Sequence, residues 1–277
     1  MPSPWHPTRR ALPATLIGLA AAARAQLPAG DNPEASPRWQ QVRASLFGTR
    51  PIANASAAQL VLGAPGRASD PAFVPISMRS PIAPGEPTAV RRLTLVIDNN
   101  PSPIAAHIDL PADGALPDIE TRARVDEYTF VRAIAETADG RLLMATRFVK
   151  ASGGCSAPPG GDEAALQAAM GRMLFRAGDP VVDGQPLTVQ WMVNHPNHSG
   201  MAMDQLTRMF TPAHYVRTVQ IWQGERLLLN ADVDFALSEN PTLRFRFTPR
   251  GDAPLRAEVT DTRQRRFSGS TALKDLR

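Results

Sequence analysis

The sequence contains a single cysteine, Cys155, and its surroundings make it the first candidate for chemistry. It stands in the run Gly153-Gly154-Cys155-Ser156, which is followed by Pro-Pro-Gly-Gly at 158–161. A thiolate attacks sulfur or carbon electrophiles, and an unpaired cysteine in an exported protein indicates a reactive thiol or an intermolecular bond. The candidate chemistry is therefore the covalent attachment of a group to Cys155.

The neighbours of Cys155 predict that its thiol is exposed. A free cysteine is more often a small buried hydrophobe, but Gly153 and Gly154 have no side chains to pack against it. The prolines that follow cannot continue a helix or a central strand. We therefore expect Gly153, Gly154 and Ser156 to form a flexible arm that brings Cys155 into a pocket of a partner enzyme, which would activate the thiol. A thiol packed inside a core, out of contact with solvent, would contradict this prediction and the carrier interpretation that depends on it.

A second constellation is rich in histidine and methionine. His195 and His198 are separated by two residues and His214 lies further along the chain, with Met201, Met203 and Met209 between them. Imidazole and thioether ligands suit copper, so a copper-binding protein is one alternative. Because the spacing is irregular and no helix organises it, we expect surface or interface residues, with no metal and no cofactor bound.

A cysteine hydrolase is a further alternative, with Cys155 as the nucleophile and His195, His198 or His214 as its base. Such an enzyme needs a rigidly placed nucleophile and a preformed oxyanion hole. A loop rich in glycine and proline supplies neither. The sequence therefore predicts a carrier without catalytic activity of its own.

The N-terminus has the pattern of an export signal. Arg9 and Arg10 precede a short apolar run that ends in Ala23-Arg24-Ala25, which predicts cleavage after Ala25. The paired arginines resemble a twin-arginine signal, although the general secretory route stays open. Removing this segment takes away three arginines and no acid, which lowers the formal net charge from +4 to +1. No basic run with interleaved aromatic residues remains, so nucleic-acid binding is not expected, and neither is a membrane span in the mature chain.

Most of the remaining chain has the pattern of short strands. The 27 prolines disfavour long helices, and apolar residues alternate with polar ones in many segments between residues 59 and 149 and again from residue 187 onward. Ser36-Pro37 is expected to begin one short helix, and Asp162 to cap another over 163–170. The predicted fold is all-β: two β-sandwich domains joined by a linker rich in glycine and proline that bears the cysteine.

The chain resembles a fused SoxYZ sulfur carrier, close to the SoxYZ-like carriers associated with quinoprotein dehydrogenases. The first half resembles SoxY through Asn99-Asn100-Pro101-Ser102-Pro103-Ile104-Ala105-Ala106 and Gly153-Gly154-Cys155. The second half resembles SoxZ through His195-Pro196 with Ser199-Gly200, Ala231 to Asp234, and Ser238-Glu239-Asn240-Pro241 before Leu243-Arg244-Phe245.

This resemblance implies immunoglobulin-like domains, a periplasmic location and a sulfur intermediate, such as one derived from thiosulfate, bound covalently to Cys155. The implied partners are a c-type cytochrome, a thiohydrolase and a sulfane dehydrogenase, or a quinoprotein dehydrogenase. One departure is that the SoxY arm usually ends the chain, whereas Cys155 is followed by a second domain. The thiol can therefore stand off by only roughly 15–20 Å.

The expected organisation has five parts: a signal peptide at 1–25, a disordered linker at 26–38, a SoxY-like domain at 39–150, an arm at 151–162 and a SoxZ-like domain at 163–277. The competing interpretation is a non-covalent accessory or binding module of a periplasmic quinoprotein dehydrogenase, in which Cys155 is incidental.

Overall fold

The structure is a computed structural model that describes Met1 and residues 32–158, 160, 163–203 and 207–276. The predicted signal peptide and most of the predicted linker at 26–38 lie outside these residues, as does the predicted helix cap Asp162. Neither α-helix in the described part is long and apolar enough to cross a lipid bilayer.

The first half contains one helix and eight strands. A 3-10 turn at Pro33–Ala35 precedes helix α1. The elements are α1 (Pro37–Phe47), β1 (Ile52–Asn54), β2 (Val61–Gly63), β3 (Val74–Arg79), β4 (Val90–Ile97), β5 (Ile104–Asp109), β6 (Leu116–Ala123), β7 (Thr129–Thr137) and β8 (Leu142–Val149).

The second half contains one helix and seven strands, and it ends in a 3-10 turn at Leu273–Asp275. The elements are α2 (Glu163–Ala169), β9 (Met173–Ala177), β10 (Leu187–Val193), β11 (Val216–Gln223), β12 (Arg226–Val233), β13 (Thr242–Phe247), β14 (Leu255–Asp261) and β15 (Arg266–Thr271).

Helix α1 forms where the sequence predicts it. The Ser36 hydroxyl accepts a hydrogen bond from the Trp39 N–H (3.2 Å), which caps the first turn, and Pro37 occupies the first helical position. The buried side chains of Trp39 and Val42 pack against the outer face of β4, β7 and β8. The helix thus covers part of one sheet that would otherwise expose apolar residues.

The strands form two sheets, which confirms the all-β prediction. The larger sheet has the order β1-β8-β7-β4-β5-β12-β11-β14-β15, and the smaller has the order β2-β3-β6-β13-β10-β9. Alternation along β3 buries Val74, Ile76 and Met78 against the larger sheet, so that both sheets contribute to one hydrophobic core. Burial of these alternating side chains is what holds the two sheets together.

The two halves share both sheets instead of standing apart on a linker. In the larger sheet, β5 pairs with β12 over 106–109 and 230–233, and in the smaller sheet β6 pairs with β13. The hydrogen bonds and the core therefore continue across the boundary between the halves. The boundaries at 39–150 and 163–277 stay predictions, because the structure shows a seam of paired strands between the halves.

Candidate functional site

The Cys155 thiol is buried, with 0% of the residue exposed. The prediction of an exposed thiol is wrong. Cys155 nevertheless belongs to neither of the two hydrophobic core clusters, and the flanking residues Ser152 and Ser156 are exposed. The thiol therefore lies beneath a surface segment, at the edge of the larger core cluster that includes Val125.

Four hydrogen bonds dock the arm between the halves. On one side, the N–H groups of Gly153 and Gly154 donate to the Asp126 and Val125 carbonyls (2.8 and 3.0 Å). The Cys155 N–H donates to Asp126 Oδ1 (3.1 Å). On the other side, the Ser199 hydroxyl, in the second half, donates to the Cys155 carbonyl (2.5 Å). The arm thus bridges the seam in a closed position.

The two glycines are what allow this closed position. A Cβ on Gly154 would lie 2.1 Å from the Pro71 carbonyl oxygen and 2.6 Å from that of Val125, distances that no side chain tolerates. Gly153 has a φ of +82°, in the left-handed region that favours glycine. The sequence predicted a thin arm fit for a partner's pocket, and the structure shows the arm fitted into a narrow slot of its own protein.

The Asn99-Asn100 motif supports this slot. Asn100 is fully buried; its side-chain amide donates to the Arg124 carbonyl (2.8 Å), and its Oδ1 accepts the Asp126 N–H (3.0 Å). Asn100 therefore positions the turn whose carboxylate, Asp126, holds Cys155. The sequence analysis missed Asp126 and Arg124 and quoted Ser199 only as part of the SoxZ motif, because only the fold brings these residues to the arm.

Electrostatics keep the docked thiol neutral. Burial, followed by the negative charges of Asp126 and Asp234, raises the pKa of Cys155 to about 12, although the Arg124 guanidinium opposes the shift. Arg124 is itself buried and donates through one nitrogen to the carbonyls of Phe235 (2.8 Å) and Leu237 (2.5 Å). In the closed position only about one thiol in 10⁵ is ionised at pH 7, so nucleophilic chemistry requires the arm to open.

A second polar cluster is buried in the second half. Ligand-type atoms of His195, His214 and Asp261 lie within 4.8 Å of one another, and all three residues are fully buried. The expectation that the three candidate histidines are surface residues is wrong, because His195, His198 and His214 are at most 6% exposed. The structure brings together the side chains of two of them. His198 pairs with His214 through backbone hydrogen bonds (2.8 and 3.0 Å) but is not one of the converging side chains.

The hydrogen bonds in this cluster disfavour a metal ion. The Asn197 N–H donates to His195 Nδ1 (3.0 Å), so the proton of the neutral ring resides on Nε2, where a metal would need a lone pair. The Arg265 guanidinium already contacts Asp261 Oδ2 (3.1 Å) and His214 Nε2 (2.8 Å). These contacts describe a polar network with arginine as its cation, in which His195 Nε2 makes no hydrogen bond and lies 3.6 Å from Asp261 Oδ2.

The same contacts bear on the hydrolase alternative. A general base would have to share a proton with the Cys155 sulfur. His195 and His214 are instead engaged with Asn197 and Asp261, and burial followed by the neighbouring His214 lowers the pKa of His195 to about 4. These two imidazoles therefore serve the second half and not the thiol.

The neutral state of His195 predicts a loss of stability in mild acid. Its pKa is about 4 in the folded protein against 6.5 unfolded, so the unfolded chain binds more protons between these values, and stability falls as pH drops from 6.5 toward 4. We expect wild-type protein to lose about 2 kcal/mol more of its free energy of unfolding between pH 7 and pH 5 than His195→Asn, which retains an acceptor for the Asn197 N–H. Urea unfolding at both pH values measures this, and equal losses would contradict it.

The fold and site define an all-β protein of two joined halves with a cysteine-bearing loop at their seam. The family described as "Sulfur oxidation protein SoxY" matches residues 43–155, and that described as "Sulphur oxidation protein SoxZ" matches residues 176–272. The chain therefore belongs to the SoxYZ family, with a SoxY and a SoxZ domain in one polypeptide. This confirms the resemblance inferred from the sequence and indicates a carrier protein of sulfur oxidation.

Similar solved structures include the sulfur carrier protein SoxY from Chlorobium limicola f. thiosulfatophilum, which is 27% identical over 41% of this chain and 94% of that chain, with a TM-score of 0.34. A β-glycosidase from Bacteroides vulgatus is 7% identical over 79% of this chain and 25% of that chain, with a TM-score of 0.25. These TM-scores are too low to support an argument from overall shape. No curated protein matches the sequence.

Proposed function

We propose that this protein carries sulfur intermediates covalently on Cys155 and presents them to partner enzymes in the periplasm. The observation that supports this most is the position of the cysteine: the SoxY match ends at Cys155 itself, and this is the only cysteine in the chain. The Gly153-Gly154 pair before it makes the backbone narrow enough to move between two environments. In this proposal the protein itself catalyses no reaction.

The attachment step is an oxidation. The sulfane sulfur of thiosulfate forms an S–S bond with Cys155, the thiol proton goes to water, and two electrons pass to an electron-accepting partner of the c-type cytochrome class. A thiohydrolase would then remove sulfate by adding water across the terminal S–S bond, leaving a persulfide on Cys155. A sulfane dehydrogenase, or a quinoprotein dehydrogenase, would oxidise the sulfur that remains.

The closed arm sets a condition on this cycle. Each of the four docking hydrogen bonds contributes on the order of 1 kcal/mol, so the open arm is a minor state in the absence of a partner. Opening returns the thiol to solvent, where its pKa falls toward an ordinary value and a partner can ionise it. The closed state thereby protects the reactive group between transfers.

Intact mass tests the proposal directly. After incubation with thiosulfate and a loading cytochrome, we expect wild-type protein to gain the mass of a thiosulfate adduct, because Cys155 is the sole nucleophilic sulfur, and we expect Cys155→Ser to keep its original mass. A dithiothreitol wash should remove the adduct. Identical masses for the two proteins would refute covalent carriage.

The burial of Cys155 favours one competing function, a non-covalent accessory module of a periplasmic quinoprotein dehydrogenase. A thiol with a pKa of about 12 has no chemistry in the closed position, as expected for an incidental residue. A strain with Cys155→Ala separates the two functions. If the phenotype of that strain matches wild type while deletion of the protein is harmful, the accessory function is the correct one.

A further inference from the structure

We propose that the slot around Cys155 selects by charge: it holds the arm while Cys155 is a neutral thiol and expels it when Cys155 bears an anionic adduct. This inference rests on the proposed carrier function and adds its regulation. The consequence is that a carrier with an anionic adduct on Cys155 exposes this cargo to partners, while a carrier with a free thiol stays closed.

Two carboxylates and one guanidinium surround the thiol. Asp126 is fixed beside it, because its Oδ1 accepts the Cys155 N–H (3.1 Å). Asp234, on the loop after β12, also acts electrostatically on the thiol, and Arg124 is the opposing cation. Glu239 acts on Arg124 in turn, so the positive charge is shared among several acids. An anion added to Cys155 would therefore enter a site where the acidic side chains already outnumber the basic one.

Arg124 is also poorly placed to take a new anionic partner. The residue is only 7% exposed, and one of its terminal nitrogens is engaged by the carbonyl oxygens of Phe235 and Leu237. Reorienting it toward a sulfonate would leave buried carbonyl groups without donors, which is unfavourable. Arg124 is therefore tied to the protein backbone through one terminal nitrogen, which limits how far it can turn toward an anionic cargo.

The neutral thiol meets none of these penalties. Its burial removes a weakly polar group from water, and the docking bonds involve only the backbone of the arm. The causes that raise the pKa of the thiol, burial first and then repulsion of negative charge by Asp126 and Asp234, also disfavour a buried thiosulfonate or persulfide anion. Since such an anion destabilises the closed arm and not the open arm, it shifts the population toward the open state.

Chemical adducts test this without a loading enzyme. Methanethiosulfonate reagents convert the thiol by disulfide formation: the new S–S bond joins Cys155 to the reagent's thiol group, and methanesulfinic acid leaves with the thiol proton. Three adducts of similar length differ in charge: 2-sulfonatoethyl (anionic), 2-hydroxyethyl (neutral) and 2-(trimethylammonio)ethyl (cationic). Hydrogen exchange of the amides of residues 153–155 reports the docked arm, because these N–H groups are the ones bonded in the slot.

We expect these amides to exchange at least tenfold faster in the anionic adduct than in the neutral adduct of the same length. The difference in exchange rate between the anionic and the neutral adduct should shrink in Asp126→Asn, whose amide oxygen still accepts the Cys155 N–H, and in Asp234→Asn. Asp113 is exposed and pairs with Arg250, so Asp113→Asn should leave this difference unchanged. Equal exchange in all three adducts, or opening by the cationic adduct as large as that by the anionic one, would show that size and not charge governs the arm and would overturn the proposal.

This outcome is distinguishable from failure of the carrier function itself. The reagents place the adducts on Cys155 whether or not thiosulfate is a substrate, so the exchange experiment depends only on the slot. The intact-mass experiment depends only on natural loading. A charge-selective slot without a thiosulfate adduct would point to a different anionic cargo and leave the present inference standing.

Discussion

Replacing Gly154 with alanine is expected to raise the rate at which Cys155 reacts with iodoacetamide by two to three orders of magnitude. The added Cβ would lie 2.1 Å from the Pro71 carbonyl oxygen, and since that atom is backbone it cannot turn away. The arm must leave the slot, and the pKa of the thiol then falls from about 12 toward 9.0, which increases the thiolate fraction about a thousandfold at neutral pH. Labelling followed by mass spectrometry gives both rates.

A matched glycine controls for the substitution itself. Gly85 has no atom within 4 Å of a built Cβ, so Gly85→Ala should label at the wild-type rate. Near- and far-ultraviolet circular dichroism should show that Gly154→Ala retains its sheets, because the clash is with backbone carbonyl oxygens and Cys155 itself belongs to neither hydrophobic core cluster. A Gly154→Ala protein that is folded and labels as slowly as wild type would mean that the slot is not what restrains the thiol.

Replacing Asp98 with alanine is expected to cost about 3–5 kcal/mol of the free energy of unfolding, the largest stability loss that we predict for one side chain. Asp98 accepts two hydrogen bonds from the Arg132 guanidinium (2.8 and 2.7 Å), and the side chains are 1% and 0% exposed. Without the carboxylate, a buried positive charge remains between the aromatic rings of Trp39 and Phe130. Urea unfolding at pH 7 measures the change.

An exposed ion pair provides the comparison. Asp113 lies 3.5 Å from Arg250 with both side chains more than half exposed, and Asp113→Ala should cost less than about 1 kcal/mol. The double variant Asp98→Ala/Arg132→Met should recover part of the loss, since it removes the buried charge, which would otherwise have only the half-exposed Glu34 carboxylate at 3.7 Å. The guanidinium of Arg132 lies over the ring of Trp39 on α1. If Asp98→Ala lowers the free energy of unfolding by no more than Asp113→Ala does, then the buried pair of Asp98 and Arg132 does not stabilise the attachment of α1.

The strands were predictable because alternation depends only on which side chains face the core. Strands β3 to β8 lie within the alternating region predicted between residues 59 and 149, β10 begins at Leu187 where the second region was predicted to begin, and the helix after Ser36 is present. Strand β6 (Leu116–Ala123) gives a weak signal in the sequence, since Ile119 is the only strongly apolar residue among its buried positions. That weak signal matters because β6 is the strand that pairs with β13 across the seam.

The location of the thiol was not predictable from its neighbours. Small residues around Cys155 favour a mobile loop when only the chain itself is considered, and the same small residues fit a slot when a matching surface exists. That surface comes from Pro71, Val125 and Ser199, which are far apart in sequence and are brought together only by the merged sheets. A local pattern therefore identified the reactive residue but not its resting environment.

The histidine cluster shows a similar limit. His195 and His214 were recognised as potential ligands, but their partner Asp261 lies 47 residues beyond His214 on an adjacent strand. The orientation of the imidazole rings, which decides between a metal site and a hydrogen-bonded network, is set by the Asn197 N–H and by Arg265. Neither contact follows from residue spacing.

The cysteine segment is fastened at both of its ends. At its N-terminal end, the backbone of Lys150 is hydrogen-bonded to the backbone of Gly66 and Ala68. At its C-terminal end, the Gly160 N–H donates a hydrogen bond to the Glu239 carboxylate. When the segment moves out of the slot it stays attached at both ends, so the sulfur lies at the tip of a loop formed by two backbone segments side by side. Adjacent backbone strands lie about 5 Å apart before any side chains are counted. An enzyme that takes up this sulfur needs an open-sided cleft, since a tunnel bored for a single chain terminus would be too narrow.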